Sequence, residues 1–427
     1  MAGIHLHPHD ILDEGPAAIL RRLEPMADVD LLFVEVNTIF ERNPYPSGTL
    51  PHNPVHDVVQ GTGTLHVRLP APRSRLVQRV DGTIASGADP LGAITEAVRG
   101  TRFRVIPWVN ICNGDFAGAS SDNAVLDFRG DAVAHWLCPN GPDIAEMWRE
   151  TLSAIRATYG LSTFLIDRIR YPDWAGVTVS PRGLFTCFCP HCERGLRDRG
   201  IDVAAVRGRL VELVGALKSG QFDAVAEALA GDPLLAAWHA FRQASVTRLV
   251  ERLRSTAGDG DDALTLWLDL WPPAYGWLLG QDYASLTKLS PALKHFPYHK
   301  LGGGADVQGL IGYVADNDDA RELAFAAFKR LFSLPFDLTY RQFTARGFPI
   351  EFVRQQNDRV RQLSQPGTII YSGIQMWNLE PAELLEAIAA ADASACDDVI
   401  YYCYGWADDR LIAAAGAAST KHSKSRR

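Results

Sequence analysis

An apolar run, Thr163-Phe164-Leu165-Ile166, breaks off into Asp167-Arg168-Ile169-Arg170-Tyr171-Pro172. Polar groups are costly inside a buried parallel strand, so a carboxylate at its carboxyl end marks a candidate site. A second acid, Asp269, closes the run Leu264-Thr265-Leu266-Trp267-Leu268 and stands between Trp267 and Trp271. A third, Glu35, follows Leu31-Leu32-Phe33-Val34. Cleavage of a glycosidic bond needs two carboxyl groups in different states, one protonating the leaving oxygen and one acting as nucleophile or base. Arg168 and Arg170 would keep Asp167 ionised, which suits the second role. Indoles around Asp269 would desolvate it and raise its pKa, which suits the first. Glu35 is the reserve. A strand-end aspartate such as Asp269 can also simply cap its loop, so these acids matter only if the fold brings them together.

Side chains of a strand alternate between its faces. Taken in one parity, the strand ends give His5 and His7, Glu35 and Asn37, Trp108 and Asn110, Asp167, Asp269 and Trp271, Gln375 and Trp377, and Tyr404 and Trp406. The sixth strand adds Tyr298 or His299, depending on register. A single Gln or His of this kind is usually a satisfied core residue. Repeated across seven strands, the pattern describes a lined pocket. Tryptophan faces can stack on pyranose rings, while Asn, Gln, His, Arg168, Arg170 and Tyr171 can satisfy hydroxyls.

The chain has seven cysteines, an odd number, and three crowd into Cys187-Phe188-Cys189-Pro190-His191-Cys192. The Cys-x-Cys-x-x-Cys spacing is one ligand short of a tetrahedral zinc site. Cys138, in Leu137-Cys138-Pro139-Asn140, is the nearest upstream candidate for the fourth, with His191 and Cys112 as others. The competing reading is three reduced cysteines packed at a helix start. Any zinc here would be structural, with no cofactor needed for catalysis.

Positioning these groups falls to eight apolar runs separated by helical patterns. The strands centre on Gly3–His7, Leu31–Val36, Phe103–Val109, Ser162–Asp167, Leu264–Asp269, Leu293–Tyr298, Thr368–Ile374 and Asp398–Tyr404, with helices near Pro16–Leu23, Asp143–Tyr159 and Leu235–Thr256. Such alternation implies parallel pairing with right-handed crossovers. Eight units predict a closed α/β (β/α)8 TIM barrel, with active-site groups at the carboxyl ends of its strands. No glycine-rich phosphate loop follows the first strand, which argues against a dinucleotide fold, and Gly302-Gly303-Gly304 reads as a flexible loop. One catalytic barrel is expected over residues 1–415, with long loops after strands two, three and four. Insertions fall at about 37–88, which is expected to cover the mouth, and 172–232, which carries the cysteines and a helical segment. Residues 416–427 read as a disordered basic tail.

Hydrophobic content of 47% and charged content of 22% are those of an ordinary globular protein, and the formal charge is −8 over 427 residues. That balance offers no broad basic face for nucleic acid. No apolar run approaches the roughly 20 residues needed to cross a bilayer. The absence of a leader pattern and the clustered thiols point to a reducing, cytoplasmic setting. Oligomeric state is open, a homo-oligomer included.

The chain resembles an uncharacterised bacterial family of (β/α)8 barrels grouped with glycoside hydrolases of α-amylase-like or glycosidase-like type. The matching pieces are His7-Pro8-His9-Asp10-Ile11-Leu12-Asp13-Glu14-Gly15, Leu50-Pro51-His52-Asn53-Pro54, Leu137-Cys138-Pro139-Asn140, Ile169-Arg170-Tyr171-Pro172, the cysteine motif with Gly200-Ile201-Asp202, and Gly280-Gln281-Asp282-Tyr283. The resemblance implies a catalytic acid at the end of the fourth strand, which here is Asp167. The cysteine motif is also similar to that of zinc-bearing β-galactosidases, which implies Cys138 as fourth ligand. The Asp-x-Asp-x-Glu signature of chitinase-like barrels is missing, since Arg168 and Ile169 follow Asp167. Two rivals stand beside the carbohydrate-cleaving reading. One is a metal-dependent hydrolase of the amidohydrolase type, built on His5 and His7. The other is a carbohydrate-binding barrel without catalysis.

Overall fold

The computed structural model describes residues 1–40, 50–56, 61–174, 181–254, 264–302 and 307–425. Its centre is a closed barrel of eight strands: β1 (Ala2–Leu6), β2 (Val29–Glu35), β3 (Arg104–Asn110), β4 (Thr163–Asp167), β5 (Thr265–Leu270), β6 (Ala292–His295), β7 (Ile369–Gln375) and β8 (Asp398–Tyr402). Every strand is parallel to its neighbours in chain order, and β8 closes on β1. The predicted (β/α)8 barrel is the fold found.

The strands read as continuous apolar runs because both of their faces are covered. Leu32, Val34, Phe164, Ile166, Leu266, Leu268 and Leu293 join the large core between strands and helices. The opposite parity fills the barrel with a separate cluster of Leu31, Phe33, Ile106, Trp108, Leu165, Ala292, Tyr371 and Ile400, flanked by Trp267 and Tyr402. Glycine at two strand positions makes that filling fit. A Cβ at Gly3 would collide with the edge of the Phe33 ring, and one at Gly373 would stand 2.8 Å from His295 O and 3.2 Å from Lys294 Cε.

The helices Pro16–Leu23, Ile144–Tyr159 and Pro233–Arg254 lie where the sequence places them. The long connections hold more structure than their composition suggests. Leu76–Gln78 of the loop after β2 pairs antiparallel with Phe116–Gly118 of the loop after β3, and Ala124–Leu126 pairs with Ala132–Leu137 within the latter, so these connections satisfy their backbone groups. Pro44 and Pro46 of the first loop, and Gly303 and Gly304, lie outside the described residues. The connection after β4 contains the helices Pro190–Arg197, Val203–Lys218 and Phe222–Gly231.

One expectation needs correction. The last helix runs Asp409–Ser425, through most of the stretch assigned to a disordered tail. Ala413-Ala414-Ala415-Gly416-Ala417-Ala418 is a strong helix-forming segment, and it packs closely enough that a Cβ at Gly416 would meet Pro25 O at 2.7 Å. At the other end of the chain, the Met1 amino group bonds to Asp398 at the start of β8. Among the described residues, no helix is long and apolar enough to cross a membrane.

Because the Phe33 ring has nowhere to retreat inside the barrel, Gly3→Ala is expected to lower unfolding free energy by about 1–3 kcal/mol in denaturant titrations. Adding Phe33→Leu should recover part of the loss. A Gly3→Ala protein as stable as the parent would show that this contact does not constrain the barrel.

Candidate active site

The carboxyl ends of β4, β5 and β6 carry a buried ionic cluster. Asp167 is in register with Asn110 of β3, and Asp269 with Lys294 of β6. Lys294 Nζ donates to Asp269 Oδ2 at 2.8 Å, with both side chains almost wholly buried. Arg170 Nη1 donates to Asp167 Oδ1 at 2.9 Å, and the Arg168 backbone N–H donates to the same oxygen. Arg170 Nε and Arg168 Nη1 both reach Asp173 Oδ2, at 2.8 and 3.0 Å. Arg168 takes this position with φ of 53°, in the left-handed region.

These surroundings push the two aspartates apart. Burial alone would raise Asp167, but Arg170, Arg168 and Lys294 outweigh it and hold its pKa below the usual carboxylate range. Burial dominates at Asp269, with Lys294 opposing and the negative Asp167 reinforcing, so its pKa is raised. Asp269 Oδ1 is buried without a protein hydrogen-bond partner, leaving that oxygen free to address a ligand.

An aromatic wall closes the other side, centred on Tyr402. Its ring centroid lies 5.8 Å from each of Trp108, Tyr298 and Trp377, 5.1 Å from His5 and 6.0 Å from His7. Lys294 Nζ sits 5.2 Å from the Tyr402 ring centre, a cation–π contact that joins wall to ionic cluster. The Trp108 indole N–H and both nitrogens of His5 are buried without partners in the same region. His5 is held neutral, its pKa lowered well below the ordinary value by burial, with Lys294 and His7 adding to it.

At the ends of β1 to β3, His7 Nδ1 meets Glu35 Oε2 at 2.7 Å, and Asn110 Nδ2 donates to Glu35 Oε1 at 2.9 Å. Asn37 and Asn110 exchange side-chain and backbone bonds of 2.6 to 2.9 Å, which fixes both. Burial opposes charge on His7, yet Glu35 and Cys403 outweigh it and raise its pKa well above the usual value.

The remaining expected pocket residues divide. Trp377 belongs to the wall and donates its indole N–H to Leu301 O at 3.0 Å. Gln375 bonds Lys300 N and Trp377 O, so it organises the loop after β7. Trp271 is buried beneath Arg170, whose guanidinium lies 5.5 Å from its ring centre. Tyr171 turns outward, its hydroxyl 3.9 Å from Cys192 Sγ, and Tyr404 turns to Glu14 Oε2 at 2.9 Å. His299 is buried beside Phe348, whose N–H its carbonyl accepts at 2.7 Å, while Trp406 is half-buried in the short turn after β8. His295 faces the shell and bonds Asn357 at 2.6 Å. Sequence reasoning missed Lys294, Tyr402, Asp173 and Cys403. Lys294 carried a signal, since a lysine inside an apolar run demands a buried partner.

The four sulfurs of Cys138, Cys187, Cys189 and Cys192 lie within 4.8 Å of one another, all buried. Cys138 Sγ is 3.3 Å from Cys192 Sγ and 3.6 Å from Cys189 Sγ, far beyond the roughly 2.05 Å of a disulfide. Tetrahedral zinc with bonds of about 2.3 Å spaces its sulfurs by about 3.8 Å, so the donor set and its size fit that ion. The N–H groups of Leu126 and Cys189 point at Cys187 Sγ, each at 3.3 Å, and the Asn140 side chain donates to Cys192 Sγ at 3.2 Å. Such donors suit sulfur that bears negative charge. Cys112 and His191 lie outside the group. Among the described residues it is the one set of three or more His, Cys, Asp or Glu side chains placed to hold a metal, and neither His5 nor His7 belongs to such a set.

No protein-family model matches this chain, and neither does any curated protein sequence. Solved structures do. The catalytic domain of β-amylase from Paenibacillus polymyxa aligns with a TM-score of 0.51 at 9% identity, covering 100% of this chain and 98% of that one. β-Galactosidase from the psychrophilic Marinomonas ef1 gives 0.51 at 10% identity, covering 99% of this chain and 60% of that one. The Group IV chitinase of Ostrinia furnacalis gives 0.46 at 6% identity, covering 98% and 99%. What this chain shares with the β-amylase domain and the β-galactosidase is the (β/α)8 barrel fold.

Proposed function

We propose that this protein is a glycoside hydrolase in which Asp167 and Asp269 form the catalytic pair. One observation carries the reading: two aspartates at adjacent strand ends are driven toward opposite protonation states by their surroundings. Asp167, held ionised by Arg170 and Arg168, serves as nucleophile or base. Asp269 keeps Oδ2 on Lys294 and uses Oδ1 to deliver a proton to the leaving oxygen. The sugar lies along Trp108, Tyr298, Trp377 and Tyr402, with Asn110 and the Trp108 N–H available to its hydroxyls. Glu35 is tied to His7 and Asn110 and positions that side of the pocket. The four cysteines hold a structural zinc that joins the loop after β3 to the loop after β4, one of whose residues, Tyr171, directly follows Arg170. Bound there, zinc would brace these two loops and would take no part in bond cleavage.

Asp167→Asn and Asp269→Asn should each lower hydrolysis of the best aryl glycoside by about 10²–10⁴-fold in a chromogenic assay. Parent rates in both variants would end the assignment. A parent that binds glycans by calorimetry while hydrolysing none would instead favour the non-catalytic barrel.

The rate–pH profile follows from the two pKa directions. Activity needs Asp167 ionised and Asp269 protonated, so the acid limb should fall below the ordinary carboxylate range and the alkaline limb above it. Lys294 lowers both carboxyl pKa values, so Lys294→Met should carry both limbs toward higher pH. Limbs that stay in place would remove Lys294 from the acid–base system.

Elemental analysis should find one zinc per chain in the purified protein and none in Cys189→Ser, whose melting temperature should drop. Zinc retained at full occupancy by that variant would exclude the four-cysteine site.

A further inference from the structure

Arg242, on the helix Pro233–Arg254, is wholly buried, and among the described residues no carboxylate meets it. Its Nη1 donates to Leu278 O at 2.6 Å and its Nη2 to Leu184 O at 3.3 Å, both neutral acceptors. Its Nη1 also lies 3.5 Å from His239 Nδ1, and its Nε has no partner. His239 offers no charge of opposite sign, for a histidine is neutral or positive. Burial draws the Arg242 pKa down to about 10, which still leaves the guanidinium charged at neutral pH. A charge taken out of water needs an opposite charge close by. Arg168, Arg170 and Lys294 each donate to an aspartate. Arg242 does not.

What lies beside Arg242 instead is the four-cysteine group. The guanidinium is 4.6 Å from the Tyr171 ring centre, and the Tyr171 hydroxyl is 3.9 Å from Cys192 Sγ. One turn along the same helix, Ser245 Oγ accepts from Asn140 Nδ2 at 2.9 Å, and that nitrogen also reaches Cys192 Sγ at 3.2 Å. A further turn on, Arg248 Nη2 donates to Asn140 Oδ1 at 3.3 Å. Successive turns of the helix thus run along the cysteines. Four protonated thiols are neutral, whereas four thiolates around a divalent ion carry two net negative charges. We propose that Arg242 is the countercharge of the metal-filled four-cysteine site, so that metal occupancy and the seating of the helix Pro233–Arg254 are coupled. This rests on the zinc reading given above. With the site filled, guanidinium and thiolates attract each other strongly in an interior of low dielectric. With the site empty and its thiols protonated, Arg242 is a buried charge without an opposite. It is a positioning residue and not a ligand.

Zinc affinity of the full chain, read by competition with a chromophoric chelator, tests this with two variants that separate charge from hydrogen bonding. Arg242→Gln keeps donors for Leu278 and Leu184 without the charge, and should bind zinc at least about tenfold more weakly than the parent. Arg242→Lys keeps the charge with fewer donors in a fixed plane, and should stay within a few-fold of the parent. Circular dichroism verifies that both are folded, and Arg242→Met takes the place of Arg242→Gln if the latter does not fold. Melting curves give a second readout. Arg242→Gln should melt below the parent when both are loaded with zinc, and no lower than the parent once a chelator has stripped both. Parent-like zinc affinity in the neutral variant, a loss in Arg242→Lys as large as in Arg242→Gln, or an equal drop in melting temperature with and without zinc would each overturn the coupling while leaving the zinc site in place. A parent that binds no zinc would remove the four-cysteine site and this inference with it.

Discussion

Partnering of buried charged and polar groups is the condition that the barrel top obeys. At the carboxyl ends of β4 to β6, Arg168, Arg170 and Lys294 face Asp167, Asp173 and Asp269, and all six side chains are buried. Ions taken out of water are tolerable only when each finds a partner in good geometry, and removal of one leaves its counterpart stranded. The cluster therefore specifies itself. Arg170 must reach both Asp167 and Asp173, which pins the loop after β4 to the strand end. Lys294 must stay on Asp269, which sets the register of β5 against β6. The same arrangement that makes the barrel top stable makes its two pocket carboxyls unequal.

Around this cluster the packing is shaped by what must be admitted. Gly373 leaves room for the Lys294 stem, and Gly3 for Phe33. The aromatic residues above them meet largely edge to face, which favours contact between positive ring edges and negative faces and leaves ring surface toward the pocket. Tyr402 is the shared member, touching β1, β3, the segment after β6 and the segment after β7. Outside the barrel, the cysteine group lies where the loops after β3 and β4 also meet through the bridge between Asp127 and Thr186 and the Phe188 N–H bond to Leu126 O at 2.9 Å.

The fold was legible in the sequence because barrel strands are covered on both faces and announce themselves as uninterrupted apolar runs. β6 was the hardest to read, since its four residues include Lys294 and His295 and only the charge partner on β5 and the Asn357 contact explain them. Asp167 and Asp269 could be named from position alone, for an acid ending an apolar run is a local signal. The spacing grouped Cys187, Cys189 and Cys192 and left Cys138, His191 and Cys112 as candidates for the fourth ligand, and the resemblance to zinc-bearing β-galactosidases implied Cys138. Tyr402 was not legible, because its ring neighbours His5 and Trp108 lie hundreds of residues away, and Lys294 signalled a buried partner without naming it. Tyr171 and Tyr404 were expected at the pocket on parity, but parity lapses once a strand gives way to loop or turn. The terminal helix was obscured by its charged, polar end, which composition assigns to solvent although alanines upstream propagate the helix.

The Met1 contact with Asp398 places the chain's first residue beside the start of β8, at the amino-terminal face of the barrel. Polypeptide joined ahead of residue 1, whether natural or appended, would leave from beneath the floor and have the full height of the strands between itself and the mouth. A tether attached there would leave from the face opposite the strand ends that carry Asp167 and Asp269.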